Sequence, residues 1–174
     1  MKTRLSSLAL IMITGLALLG TLTGCIGYSL GNNLPPGIRS VFVPVFVNQA
    51  DEPGLETLTT SATIAEFQKD GSLKVSPREQ ANSVIEVTLT HYTLAPLRFR
   101  KDQTTTAQEY RLTIKADVVL RKLPSKEIVS QTKGVEGFAD FVSLSDLPSS
   151  QREALPKAAA DLAHRIVKTV VEYW

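Results

Sequence analysis

The stretch YRLTIKADVVLR, residues 110–121, alternates almost without exception. Tyr110, Leu112, Ile114, Ala116, Val118 and Leu120 fall on one side of an extended chain, and Arg111, Thr113, Lys115, Asp117 and Arg121 on the other. Successive strand side chains point to opposite faces, so this pattern predicts a strand buried on one side only. Sheets of that kind are antiparallel and carry helices on the covered face. Ser83–Leu94 repeats the alternation, with Ile85, Val87 and Leu89 opposed to Glu86, Thr88 and Thr90. His91 continues the apolar parity and is expected to be a partly buried structural residue. Pro124-Ser125 marks a turn, followed by a further strand from about Glu127 to Glu136. Upstream, VFVPVFV at 41–47 is a near-continuous apolar run of strand length. Pro44 cannot donate a ladder hydrogen bond and restricts that strand to an edge or a bulge. Leu73–Val75 is expected to be a short strand before a turn at Pro77.

Two segments have helical periodicity instead. Between about Pro53 and Lys69, Leu55, Leu58, Ala62 and Ala65 share one face, with Ile64 and Phe67 beside it. Glu52 and Pro53 suit its first turn, and Asp70-Gly71 its stop. Near the C-terminus, Leu155, Ala158, Ala159, Leu162, Ile166 and Val170 recur at helical spacing, widened by Ala163, Val167 and Val171. Ser150 and Glu153 have capping-box spacing. Pro156 predicts that the regular helix begins close to itself. The order β-α-β-β-β-α defines an α+β two-layer sandwich, with two helices on one face of a mixed, mainly antiparallel sheet of about four strands.

The first 24 residues have a different character. They contain Lys2 and Arg4, no acid, and the apolar or small run LSSLALIMITGLALLGTL. A basic start followed by an apolar core predicts a signal peptide over 1–24. At about 18 residues the run is also near the lower limit of a membrane-spanning helix. Leu22-Thr23-Gly24-Cys25 fits a lipobox: an apolar residue, two small ones that admit a peptidase, then the chain's one cysteine. Cys25 is therefore the expected lipidation site, carrying a diacylglycerol on sulfur and an acyl chain on the new amino terminus. Three chains exceed the two signals that stable anchoring requires. Ile26, rather than Asp, favours the outer membrane, on its periplasmic side. Residues 25–37 read as a short tether rich in Gly, Asn and Pro, and 38–174 as a single domain. The chain has 19 Lys+Arg and 17 Asp+Glu; without Lys2 and Arg4 the two counts are equal. A neutral mature chain argues against nucleic acid as a partner. One Cys precludes an internal disulfide or a cysteine metal cluster.

Several stretches together resemble one family. Gly27-Tyr28-Ser29-Leu30, Leu34-Pro35-Pro36-Gly37-Ile38-Arg39-Ser40-Val41-Phe42-Val43-Pro44-Val45-Phe46, Pro53-Gly54-Leu55-Glu56 and Glu109-Tyr110-Arg111-Leu112 are similar to LptE-type lipopolysaccharide-assembly lipoproteins. The lipobox and the terminal helix fit as well, so the likeness spans the mature chain. The resemblance implies a protein without catalytic activity that plugs, and helps to assemble, an LptD-like outer-membrane β-barrel inserting lipopolysaccharide into the outer leaflet. It also implies lipopolysaccharide itself as a ligand. The residues alone leave open a periplasm-facing lipoprotein that binds a small ligand or lipid without a barrel.

The candidate sites are correspondingly few. His91 and His164 are the only histidines, and His164 reads as solvated beside Arg165. No paired-acid spacing, Gly-rich phosphate loop or metal motif is present, so neither an enzyme nor a cofactor is indicated beyond the lipid on Cys25. Arg98, Arg100 and Lys101 cluster in the connection between the two clearest strands. At a hairpin tip they would suit the phosphates and acidic sugars of lipopolysaccharide, for which the Arg fork is well shaped; a solvated loop is the plain alternative. Arg111, Thr113, Lys115 and Asp117 form a polar sheet face and are the candidate barrel contacts, since barrel interiors are polar.

Overall fold

The computed structural model describes residues 36–99, 107–143 and 146–172. Its elements, in chain order, are β1 (Ser40–Phe42), β2 (Val47–Asn48), α1 (Leu55–Asp70), β3 (Lys74–Val75), β4 (Ser83–Phe99), β5 (Ala107–Lys122), β6 (Ile128–Val142) and α2 (Leu147–Glu172). The strands form one sheet in the order β3-β1-β4-β5-β6, with β2 also paired to β4. The short N-terminal pairings are parallel, and the long β4-β5-β6 meander is antiparallel. Both helices join the inward sheet face in one hydrophobic core. The expected two-layer α+β sandwich is thus observed, with six strands in place of about four.

The additional strands have a physical cause. Phe42 pairs with Val84 and Val47 with Thr88, so five steps along the first stretch match four along β4. Pro44 lies within that mismatch, which divides VFVPVFV into two strands separated by an extra residue. Lys74–Val75 then pairs with β1 as the short third strand.

Strand β5 follows its pattern throughout: Leu112, Ile114, Ala116 and Leu120 are fully buried, Val118 nearly so, and the intervening residues are half-buried. Strand β4 does not keep its phase. Pairing passes from Leu89↔Ala116 directly to His91↔Lys115, leaving Thr90 as an extra, bulged residue. Beyond it the side chains exchange faces. Tyr92 and Leu94 pack on the core, and His91, expected to be partly buried, is exposed.

Helix α1 also turns a different face inward. Its buried residues are Leu55, Thr59, Thr60, Thr63 and Phe67, while Ala62 is half-buried and Ala65 exposed. Threonine is acceptable there because each hydroxyl is satisfied locally. Thr59 donates to the Leu55 carbonyl at 2.7 Å, Thr60 to Glu56 at 2.6 Å and Thr63 to Thr59 at 2.8 Å. Each hydroxyl thereby bonds back along its own helix. Thr60 Oγ1 additionally accepts the Phe46 N–H at 3.0 Å, tying the helix to the segment between β1 and β2. Gly71, at φ 75°, ends the helix and donates its N–H to the Phe67 carbonyl at 3.0 Å.

Helix α2 begins nine residues before Pro156 and runs through it. Its N-cap is Asp146, which accepts the Ser149 N–H at 2.9 Å; Ser150 lies inside the first turn and is not the cap. Proline leaves the Arg152 carbonyl without its helical donor, but both residues are exposed, so water replaces the bond. The helix packs closely over β6 at Gly137, where an added Cβ would overlap the Leu162 backbone. Residues 33–174 make one compact unit with its own core, as expected of a segment that folds alone.

Candidate functional site

The face of β4-β5-β6 turned away from the helices carries the polar residues singled out in β5. Register aligns them in rows: Ala95, Arg111 and Asp140; Thr93, Thr113 and Phe138; His91, Lys115 and Glu136. The Arg111 guanidinium grips Asp140 through two bonds, Nε to Oδ1 at 2.6 Å and a terminal nitrogen to Oδ2 at 2.7 Å. Lys115 meets Glu136 at 2.6 Å and Arg121 meets Glu86 at 2.8 Å. Asp117 has a different task. Here β6 bulges, with Val135 opposite Ala116 and Thr132 opposite Val118. Asp117 accepts the N–H of Gly134 at 2.9 Å, and Gly134 has the left-handed φ of 68° that the bulge needs. Thr113 lies half-buried between Thr93 and Phe138.

The electrostatics follow from these pairings. Hydrogen bonding to Asp140 raises the Arg111 pKa, and the same bond holds the Asp140 carboxyl below its ordinary range. With Arg111, Lys115 and Arg121 each matched to an acid, and the charge of Lys133 balanced by that of Asp117, no surplus positive charge remains to trap an anion. Exposed pairs of this kind contribute little stability individually; together they make a neutral, densely hydrogen-bonding surface. Its lateral edge is closed. Asp161 of α2 accepts the Phe138 N–H at 2.9 Å and the Arg165 Nε at 2.9 Å. The Arg165 guanidinium lies 5.1 Å from the Phe138 ring centre and that of Arg111 4.2 Å, both within cation-π range.

At the far end, the β4-β5 hairpin is paired as far as Phe99 and Ala107. Residues 95–98 are all exposed, although Tyr110 stacks on Phe141 with ring centres 5.8 Å apart. Arg98 is exposed near the tip, with Glu109 at 3.7 Å. Arg100, Lys101 and Cys25 lie outside the described residues. The remaining histidine, His164, joins α2 to α1 through Glu66, with Nδ1 to Oε1 at 2.9 Å. That hydrogen bond lowers the Glu66 pKa despite partial desolvation. Among the described residues, no group of three or more His, Cys, Asp or Glu is placed to hold a metal ion, and no helix is long and apolar enough to cross a membrane.

The β5 half of this surface and Glu86 of β4 are legible in the alternation, whereas the partners Glu136, Phe138 and Asp140 are not. The last strand was expected to stop near Glu136, but it continues to Val142. The alternation of Phe138, Ala139, Asp140 and Phe141 beyond Gly137 carried that signal.

The described domain is thus a sheet layered with two helices and bearing a polar, self-paired outer face. Residues 38–170 match the family model for LptE, lipopolysaccharide-assembly. The chain belongs to this lipopolysaccharide-assembly family, one of assembly proteins rather than enzymes. Solved structures share the fold at low identity. Lipoprotein B from Nitrosomonas europaea is 14% identical with a TM-score of 0.55, covering 85% of this chain and 92% of its own. A lipoprotein from Caulobacter crescentus is 13% identical with a TM-score of 0.51, covering 74% and 89%. A minor lipoprotein from Acinetobacter baumannii is 10% identical with a TM-score of 0.50, covering 78% and 94%. No curated protein matches the chain in sequence.

Proposed function

We propose that the protein is an outer-membrane lipoprotein, anchored through acyl chains on Cys25, whose domain seats inside an LptD-like β-barrel as plug and assembly partner. On this reading residues 1–24 are removed as a signal peptide and 25–37 tether the domain on the periplasmic side. The observation that carries the reading is the outward face of β4-β5-β6 in a chain that matches the lipopolysaccharide-assembly family over residues 38–170. A barrel lumen is lined by polar side chains, and a neutral sheet face rich in donors and acceptors complements such a wall without burying an unpaired charge. Arg111, Thr113, Lys115 and Asp117 are the contacts. In this arrangement the hairpin tip bearing Arg98, Arg100 and Lys101 meets lipopolysaccharide phosphates on their way through the barrel.

Mild-detergent extraction of outer membranes, followed by affinity capture through this chain, tests the assignment. One large, heat-modifiable β-barrel should co-purify. Recovery of the lipoprotein alone would leave it without a barrel partner and overturn the reading.

A further inference from the structure

Arg111, Lys115 and Arg121 of the outward face each have an acid, but five bases at the opposite end of the sheet from the hairpin tip do not. At that end β1, β3 and β4 begin and β5 finishes. Arg39 precedes β1, and its carbonyl accepts the N–H of Lys74, the first residue of β3, at 3.1 Å. Arg78 occupies the short 3-10 turn before β4, and the Asn82 carbonyl that follows accepts the Leu123 N–H at 2.7 Å. Lys122 closes β5, and its carbonyl accepts the N–H of Lys126 at 2.8 Å. These contacts bring five basic residues to one end of the domain, and all five are exposed. None has an ion-pair partner among the described residues; Arg78 only rests over the Phe42 ring at 5.9 Å. Glu79, Glu127 and Asp70 are the acids of this end, so two positive charges are uncompensated; Lys69, beside Asp70, is already paired with Glu66 at 3.4 Å.

The chain also enters the domain here, since Arg39 leads directly into β1. The fourteen steps along the chain from Cys25 to Arg39 reach at most about 50 Å in any conformation. An anchor at Cys25, as proposed above, would therefore tether the domain by this end.

We infer that the end of the sheet carrying Arg39, Lys74, Arg78, Lys122 and Lys126 is a docking face for the anionic headgroup layer of a phospholipid bilayer. It directs the hairpin tip away from that bilayer and supplements the anchor. The orientation rests on lipidation at Cys25 as proposed above; headgroup binding by the face does not. Each base near an anionic surface raises partitioning about fivefold, so two net charges give an effect of roughly twenty-five-fold.

The test uses residues 33–174, which lack Cys25 and need no barrel, so its failure is separate from that of the barrel reading. Co-sedimentation is measured with vesicles of phosphatidylcholine alone or with about one third phosphatidylglycerol, in about 0.1 M salt. Binding should be roughly twenty-five-fold stronger to the anionic vesicles and should vanish in about 1 M salt. The double variant Lys74→Gln/Arg78→Gln should lose that gain. The variant Arg152→Gln/Lys157→Gln, with the same net charge, should keep it. All four side chains are exposed, so both variants should melt like the parent. Equal binding to the two vesicle types, or equal loss in both variants, overturns the proposal. So does displacement by inorganic phosphate at constant ionic strength, or an effect seen only on vesicles containing lipopolysaccharide.

Discussion

Substituting alanine at Gly137 probes the junction on which the two-layer packing depends. Gly137 is buried in β6, and a Cβ built there would overlap the backbone nitrogen, Cα and Cβ of Leu162. A clash with the far end of a side chain relaxes by rotation, whereas a clash with helix backbone requires α2 to move away from β6. That movement loosens Ala158, Ala159, Leu162, Ile166 and Val170, all of them fully buried. Overpacking a tight core typically costs about 1–3 kcal/mol, and the upper part of that range applies because the obstacle is main chain. For a domain of this size about 1 kcal/mol lowers Tm by roughly 2–4 °C, so Gly137→Ala should melt roughly 5–10 °C below the parent. The assay is thermal and urea unfolding of residues 33–174. Gly134→Asn is the control: its φ of 68° suits asparagine, and nothing lies within 4 Å of the added Cβ. It should change Tm by only about 1–2 °C. Adding Leu162→Ala to Gly137→Ala should not restore stability, since the obstructing atoms include the backbone. A Tm within about 1 °C of the parent, or rescue by Leu162→Ala, would refute the close approach of α2 to β6.

Other consequences can be measured on the same domain. Thr60→Val strands the buried Phe46 N–H and should cost about 1–3 kcal/mol in urea unfolding, whereas Thr60→Ser should retain most of it. The Asp140 carboxyl should titrate below 3.8 by NMR and return toward that value in Arg111→Gln. Because its folded pKa is depressed, the stabilisation from this pair is complete above the unfolded value and lost as pH falls through the folded one. Charge reversal of Arg98, Arg100 and Lys101 to Glu should weaken lipopolysaccharide binding by the purified domain; unchanged binding would remove the tip from the proposed path.

What the amino-acid pattern disclosed, and what it hid, divides along physical lines. Strand β5 was legible because the bulges along its alternating stretch fall in its neighbours β4 and β6 and not in β5 itself, so a period of two maps directly onto two faces. The outer half of β4 was not, because a single bulged residue, Thr90, inverts everything after it and an added residue leaves no mark in composition. Helix α1 misled for another reason: threonine counts as polar until its hydroxyl finds the carbonyl four residues back, and only then can it line a core. Helix α2 showed its buried stripe plainly, but Asp146 proved a stronger start signal than Pro156 a barrier. In the candidate site, the residues of β5 could be named from parity alone. Their partners depend on the register of β6, which is set by the Gly134 bulge and by tertiary packing, so Glu136 and Asp140 emerged only with the fold.

Whether the outward sheet face meets a barrel wall decides the proposed function. A photo-crosslinking residue placed at Thr113, half-buried in the middle of that face, puts the question to the assembled protein in intact cells. The account predicts one adduct with a large, heat-modifiable β-barrel, reproduced from Lys115. A membrane-bound, folded protein giving no barrel adduct from either position would contradict it.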